Sequence, residues 1–222
     1  LNPSGRAPKN TRELSMKFGL MSANLMGNVE GAAAGELARK AEEVGFHSIW
    51  AVEHAVVPLE YASTYPYDDG GRLFKGASQL DHSDPLIWLA FAAAATTKIR
   101  LATGILILPQ RNPLIAAKEI ASLDRLSDGR LDLGIGVGWL REEFEALGVP
   151  FEARGARTDE YLRALKVLWS ETEAEFHGDF VDFAPVYCQP KPTQQPIPIL
   201  VGGHSDRAAQ RAGELGDVFF PA

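Results

Sequence analysis

The chain of 222 residues contains a single cysteine, Cys188, so no internal disulfide can brace it. No apolar run approaches the roughly 20 residues that a membrane span needs, and the N-terminus lacks the apolar stretch of a secretory signal. Positive charge is not in excess. The formal net charge is −7, which argues against nucleic acid or an anionic membrane as partner. Metal-ligand spacing is absent too: His82 and His177 show no ligand-like spacing with other histidines, cysteine or carboxylates, so no metal site is expected. No sequence repeat of fixed period is present. What remains is ordinary for a globular chain, 45% hydrophobic and 23% charged, and long enough to bury a real core. The simplest class is a cytoplasmic enzyme.

Residues 1–15, LNPSGRAPKNTRELS, are polar and aperiodic and are expected to form a disordered leader. From Met16 onward strand and helix patterns alternate. Short apolar runs at 17–23, 47–54, 98–109, 130–137, 197–203 and 217–220 read as strands. Leu37, Ala38, Ala41 and Val44 keep helical spacing and end at Gly45. Asp84-Pro85 and Pro113 open further helices, the first with Asp84 as its N-cap. Helices are also expected over 156–170 and 205–215. Between the fourth and fifth strands, 171–183 reads as a hairpin turning at Gly178-Asp179, and the insertion continues through a Pro-rich linker to about 196. Strands separated by single helices predict a parallel sheet covered by helices. Six strands are visible where a closed (β/α)₈ barrel needs eight.

The segment RLDLGIGVGWLREEF, 130–144, places Gly134, Gly136 and Gly138 alternately before Trp139. A dinucleotide fingerprint needs glycines at offsets 0, 2 and 5. From Gly134 the third position is Trp139 and from Gly136 it is Arg141, so the fingerprint fails. A P-loop fails as well, because no Gly-Lys-Ser/Thr follows. Close packing can account for Gly134. Gly136 and Gly138 lie toward the strand's C-terminal end, where parallel α/β folds bind ligands. Other strand ends carry comparable marks: Glu53-His54, then Ala102-Thr103-Gly104, then Gly202-Gly203-His204-Ser205 leading into a helix. That last set has the chemistry of a phosphate cradle.

IWAVEH at 49–54, the segment from Asp84 to Trp139, FEARGARTDEYL at 151–162 and PIPILVGGHS at 196–205 together resemble the luciferase-like monooxygenase superfamily. Within it, they resemble the coenzyme F420-dependent oxidoreductases. The resemblance runs in order over 16–222. It implies a TIM (β/α)₈-type barrel, here incomplete at the C-terminus, with a flavin or deazaflavin ring at the mouth. On that basis His54 and Glu53 are the expected catalytic residues. His54, Ala102, Thr103, Gly104, Gly136, Val137, Gly138, Trp139, Gly202, Gly203 and Ser205 are the expected cofactor contacts. The implied activity is hydride transfer between F420 and a small organic substrate. Alternatives are an FMNH₂/O₂-dependent monooxygenase, with FMN as cofactor, or a shortened non-catalytic flavin-binding protein. Family barrels carry two further βα units after the DVFF-type strand. A fragment, a covering partner chain or a shortened relative would each account for the difference, and a homo-oligomer, a dimer, is expected.

Several residues keep two readings. His54 alone could be a structural histidine, and Trp139 alone could be core. Arg111 could bind an anion or pair on the surface. Glu142 and Glu143 are expected to be a solvated helix start, where carboxylates suit the dipole. Residues 55–83 form a long loop with Tyr61, Tyr65, Tyr67 and Phe74, expected to wall the substrate pocket.

Overall fold

A computed structural model describes residues 16–68, 70–73 and 79–221. The expected leader, Phe74 and Ala222 lie outside the described residues. The order is β1 (Gly19–Leu20), α1 (Gly31–Glu43), β2 (Ser48–Ala51), α2 (Pro85–Ala95), β3 (Arg100–Thr103), β4 (Leu106–Ile107), α3 (Pro113–Leu126), β5 (Leu131–Gly136) and α4 (Arg141–Ala146). It continues with α5 (Arg154–Ser170), the hairpin β6 (Ala174–His177) and β7 (Asp182–Val186), then β8 (Ile199–Gly202), α6 (Asp206–Leu215) and β9 (Val218–Phe220).

All pairings of the main sheet are parallel, in the order β1-β2-β3-β5-β8-β9, with β4 stepping onto the upper part of β5. Register partners in a parallel sheet share a face. One face carries Ile49, Leu101, Leu131, Leu133, Ile135, Ile199 and Val201, all buried within the apolar core shared with the helices. Ala34, Ala38 and Ala41 of α1 and Ala116, Ala117 and Ile120 of α3 bring the helix backbones close to it.

The opposite face is concave. Trp50 of β2 stacks on Phe220 of β9 with ring centroids 5.2 Å apart, although in a flat sheet those strands would lie roughly 19 Å apart at the usual strand spacing. The six-stranded sheet is therefore curled into a half-barrel. At the bottom of the concave face Arg100 grips Asp132 with two hydrogen bonds, of 2.5 and 2.6 Å.

The expected Asp84 cap is present, and two further helices are capped in the same way. Asp84 accepts from Leu86 N and Ile87 N at the start of α2, Asn112 accepts from Leu114 N and Ile115 N at α3, and Ser205 accepts from Ala208 N at α6. The third expected strand, 98–109, is corrected: it breaks into β3 and β4 around a cis Gly104–Ile105 peptide. Thr103 there leans its carbonyl over Gly134, so close that Gly134 has no room for a Cβ. This glycine is a packing requirement.

Candidate active site

The C-terminal strand ends and the loop after β2 enclose a cavity of about 770 Å³. His54, Glu53, Gly104, Gly136, Val137, Gly138, Trp139, Gly202, Gly203 and Ser205 all line it, so most of the residues singled out in the sequence come together. Ala102 and Thr103 do not. Both are fully buried beneath the cavity, and the Thr103 hydroxyl donates to Gly134 O at 2.6 Å.

The glycines build the floor indirectly. A Cβ on Gly136 would come within 2.6 Å of Ile105 Cδ1, and one on Gly202 within 2.8 Å of Ile105 Cγ2. The missing side chains thus let Ile105 lie across the strand ends as a flat apolar shelf. Gly138, at φ +77°, turns the chain from β5 toward α4 in a conformation that L side chains rarely adopt.

His54 follows the end of β2. Its Nδ1 lies 3.0 Å from Glu143 Oε2. The other Glu143 oxygen accepts from Ala55 N at 2.7 Å and Val56 N at 3.3 Å. Glu143 is fully buried, which corrects the expectation of a solvated acidic helix start. Desolvating a carboxylate is costly unless donors replace water, and the His54 ring and two backbone amides do so here. Glu142 is likewise engaged: it accepts from Ala62 N, Ser63 N and the Ser63 hydroxyl. Burial acts to raise the Glu142 carboxyl, but the Ser63 hydroxyl and the surrounding amides outweigh it and bring it from 4.5 to about 2.

Glu53, expected beside His54 in catalysis, is turned elsewhere. It accepts from Ile107 N and pairs with Arg111, which also reaches Asp84 at 2.5 Å and Glu119 at 3.4 Å. Glu53 is nearly sealed from solvent, and burial raises its carboxyl against the pull of Arg111. Arg111 is accordingly the hub of an internal ion cluster, and Glu53 ties the end of β2 to β4 directly by accepting from Ile107 N.

The loop after β2 forms one wall. Tyr61 and Tyr65 meet Trp139 edge-on, at 5.8 and 5.1 Å between centroids, and Trp139 meets His54 edge-on at 5.9 Å. Tyr67 lies 4.9 Å from the His204 ring. Besides Ile105, two basic cavity residues, Arg154 and Arg211, were not among those expected from the sequence. Arg154 donates to Gly138 O at 3.0 Å and stacks 3.8 Å over Phe151, and burial lowers its pKa. Arg211 is buried and pairs with Asp159. Nothing local marks either one, because each reaches the cavity only through helix packing. Both share the cavity with Gly203, His204 and the capped start of α6, so positive charge and a helix N-terminus meet at one end.

The family model for luciferase-like monooxygenase matches residues 16–222. The chain belongs to the luciferase-like monooxygenase family. An uncharacterized protein of Mycobacterium tuberculosis H37Rv is 37% identical over 187 residues, which cover 84% of this chain and 65% of that protein. The FMNH(2)-dependent dimethylsulfone monooxygenase of Pseudomonas putida is 33% identical over 189 residues, 83% of this chain and 47% of that protein. An F420-dependent secondary alcohol dehydrogenase, solved with an F420-acetone adduct, superposes with a TM-score of 0.73 at 24% identity, over 94% of this chain and 58% of that one. This luciferase-like chain thus spans less than two thirds of the length of these relatives. Its half-barrel is the luciferase-like fold with part of the TIM barrel present. Among the described residues no helix is long and apolar enough to cross a membrane.

Proposed function

We propose that the cavity holds the ring of coenzyme F420 and that the protein moves a hydride between it and a small organic substrate. The observation that carries this reading is the orientation of His54: Nδ1 is engaged by Glu143, and Nε2 is left without a hydrogen-bond partner among the described residues, in a side chain that lines the cavity. The residues fit such a cofactor. The volume lies in the range of small-molecule sites, Ile105 offers a flat surface, and the α6 start with Arg154 suits a phosphate. Gly104, Gly136, Val137, Gly138 and Trp139 would hold the ring and its chain, and Gly202, Gly203 and Ser205 the phosphate. When bound, the deazaflavin ring supplies the hydride acceptor or donor. The chain supplies orientation, a water-poor mouth and a proton carrier. His54 Nε2 takes the proton of a substrate hydroxyl as the carbon gives up its hydride, and returns it in the reverse direction. Glu53 serves by holding the strand ends in place.

A second reading, an FMNH₂- and O₂-dependent monooxygenase, is favoured by the 33% identity with the dimethylsulfone enzyme. Under either reading the acidic, cysteine-poor chain suits the cytoplasm. Exposed Phe18 and Val218, near the two ends of the sheet, suit a dimer or other cover. Titration with F420, FMN and anaerobically reduced FMN, followed by absorbance and fluorescence, tests the cofactor. Tight F420 binding with turnover of an alcohol supports the first reading, and preference for reduced FMN supports the second. Binding of none at tens of micromolar overturns both.

A further inference from the structure

We infer that Glu143 is a positioning residue that sets the tautomer of His54, and with it which ring nitrogen is free to exchange a proton in the cavity. The inference rests on the proposed role of His54, but its first measurement does not need a cofactor. The geometry leaves Glu143 little freedom. Its side chain is fully buried, Oε1 is taken by the Ala55 and Val56 amides, and Oε2 stands 3.0 Å from His54 Nδ1. An ionised carboxylate only accepts, so the neutral ring must carry its hydrogen on Nδ1 and keep the Nε2 lone pair for the cavity. The other groups around His54 do not compete for its ring nitrogens. His82 Nε2 lies 2.5 Å from the His54 backbone oxygen, and Glu53 faces Arg111. Trp139, Tyr61 and Tyr65 make only edge contacts in this cluster. The same carboxylate holds Ala55 and Val56, so the ring orientation is tied to the first residues of the loop that walls the cavity.

Substitution by glutamine gives a test that simple loss of packing would not mimic. Glutamine has one accepting oxygen and one donating nitrogen. In Glu143→Gln the Ala55 and Val56 amides claim the side-chain oxygen, which turns the carboxamide hydrogens toward His54 Nδ1. The imidazole must then accept at Nδ1 and move its hydrogen to Nε2. Long-range ¹H–¹⁵N NMR on the full chain reads the tautomer directly, with His54→Gln assigning the signal. The expected result is Nδ1–H in the unmodified protein and in Glu142→Gln, and Nε2–H in Glu143→Gln. With the cofactor found by titration, Glu143→Gln should lower kcat by roughly 10²- to 10⁴-fold, the usual contribution of a positioned acid-base group, with KM little changed. Glu143→Asp should restore part of that loss. An Nε2–H tautomer in the unmodified protein overturns the inference even if Glu143→Gln fails to fold. So does a folded Glu143→Gln that keeps Nδ1–H. If the protein binds neither F420 nor FMN while the tautomers behave as expected, the functional reading fails and the positioning role stands.

Discussion

Replacing Gly134 and Gly136 by alanine should have very different consequences, although the two glycines sit on the same strand and the same face. A methyl on Gly134 would run into the backbone oxygen of Thr103. That oxygen cannot swing aside freely, because Gly104 N donates to Ala51 O at 2.7 Å and the Thr103 hydroxyl is held on Gly134 O at 2.6 Å. Overpacking costs about 1–3 kcal/mol in cores that can adjust, and disturbing either hydrogen bond adds about 1 kcal/mol. Gly134→Ala should therefore lose about 4 kcal/mol. A methyl on Gly136 meets side-chain rather than backbone atoms, Ile105 Cδ1 at 2.6 Å and Cγ1 at 2.9 Å. Ile105 can change rotamer at about 1 kcal/mol. The gain from stiffening the unfolded chain is the same in both variants, so the difference stays near 3 kcal/mol, more than 100-fold in the unfolding equilibrium at about 1.4 kcal/mol per decade. Urea denaturation followed by tryptophan fluorescence should show the midpoint of Gly134→Ala about 1–3 M below that of Gly136→Ala, given usual slopes. Gly136→Ala, in turn, should weaken cofactor binding by lifting Ile105 into the cavity. Equal stability of the two variants, within about 0.5 kcal/mol, would refute the claim that Gly134 answers to the bulge and Gly136 to the shelf.

Further expectations concern the cavity wall and its supports. The Glu142 carboxyl lies at about 2 instead of 4.5, so the anchoring of residues 62–63 is fully present above pH 4.5 and is lost as the pH falls toward 2. The Ser63 amide shift should report that transition in NMR and lose it in Glu142→Gln; a midpoint at 4.5 would contradict the assignment. Ser205→Ala removes the α6 cap and should cost about 1 kcal/mol; under the second reading it should weaken FMN several-fold while leaving riboflavin, which lacks the phosphate, unaffected. Glu53→Gln keeps an acceptor for Ile107 N but takes one carboxylate from Arg111. With Asp84 still paired, the loss should be about 2 kcal/mol, below the usual cost of breaking a buried pair, and the His54–Glu143 contact should persist by NMR.

The sequence by itself determined the order of strands and helices, the helix starts and the set of strand ends that carry chemistry. Those signals are local: Asp84 caps a helix two and three residues away, and apolar spacing records which face is covered. It also carried the family, since the glycine-rich β5 end, His54 and the Gly202-Gly203 turn occur together and in order. The break between β3 and β4 was not legible, because it arises where the backbone of Thr103 crosses Gly134, 31 residues away. The role of Glu143 was hidden for a similar reason. In the sequence it is the second acid of an ordinary helix start, and only tertiary structure brings it onto His54, 89 residues distant. Glu53 shows the converse: next to His54 in sequence, it is drawn off by Arg111 across 58 residues. A carboxylate's function depends on which donors replace its water on burial, and in this half-barrel those donors come from distant strands and loops.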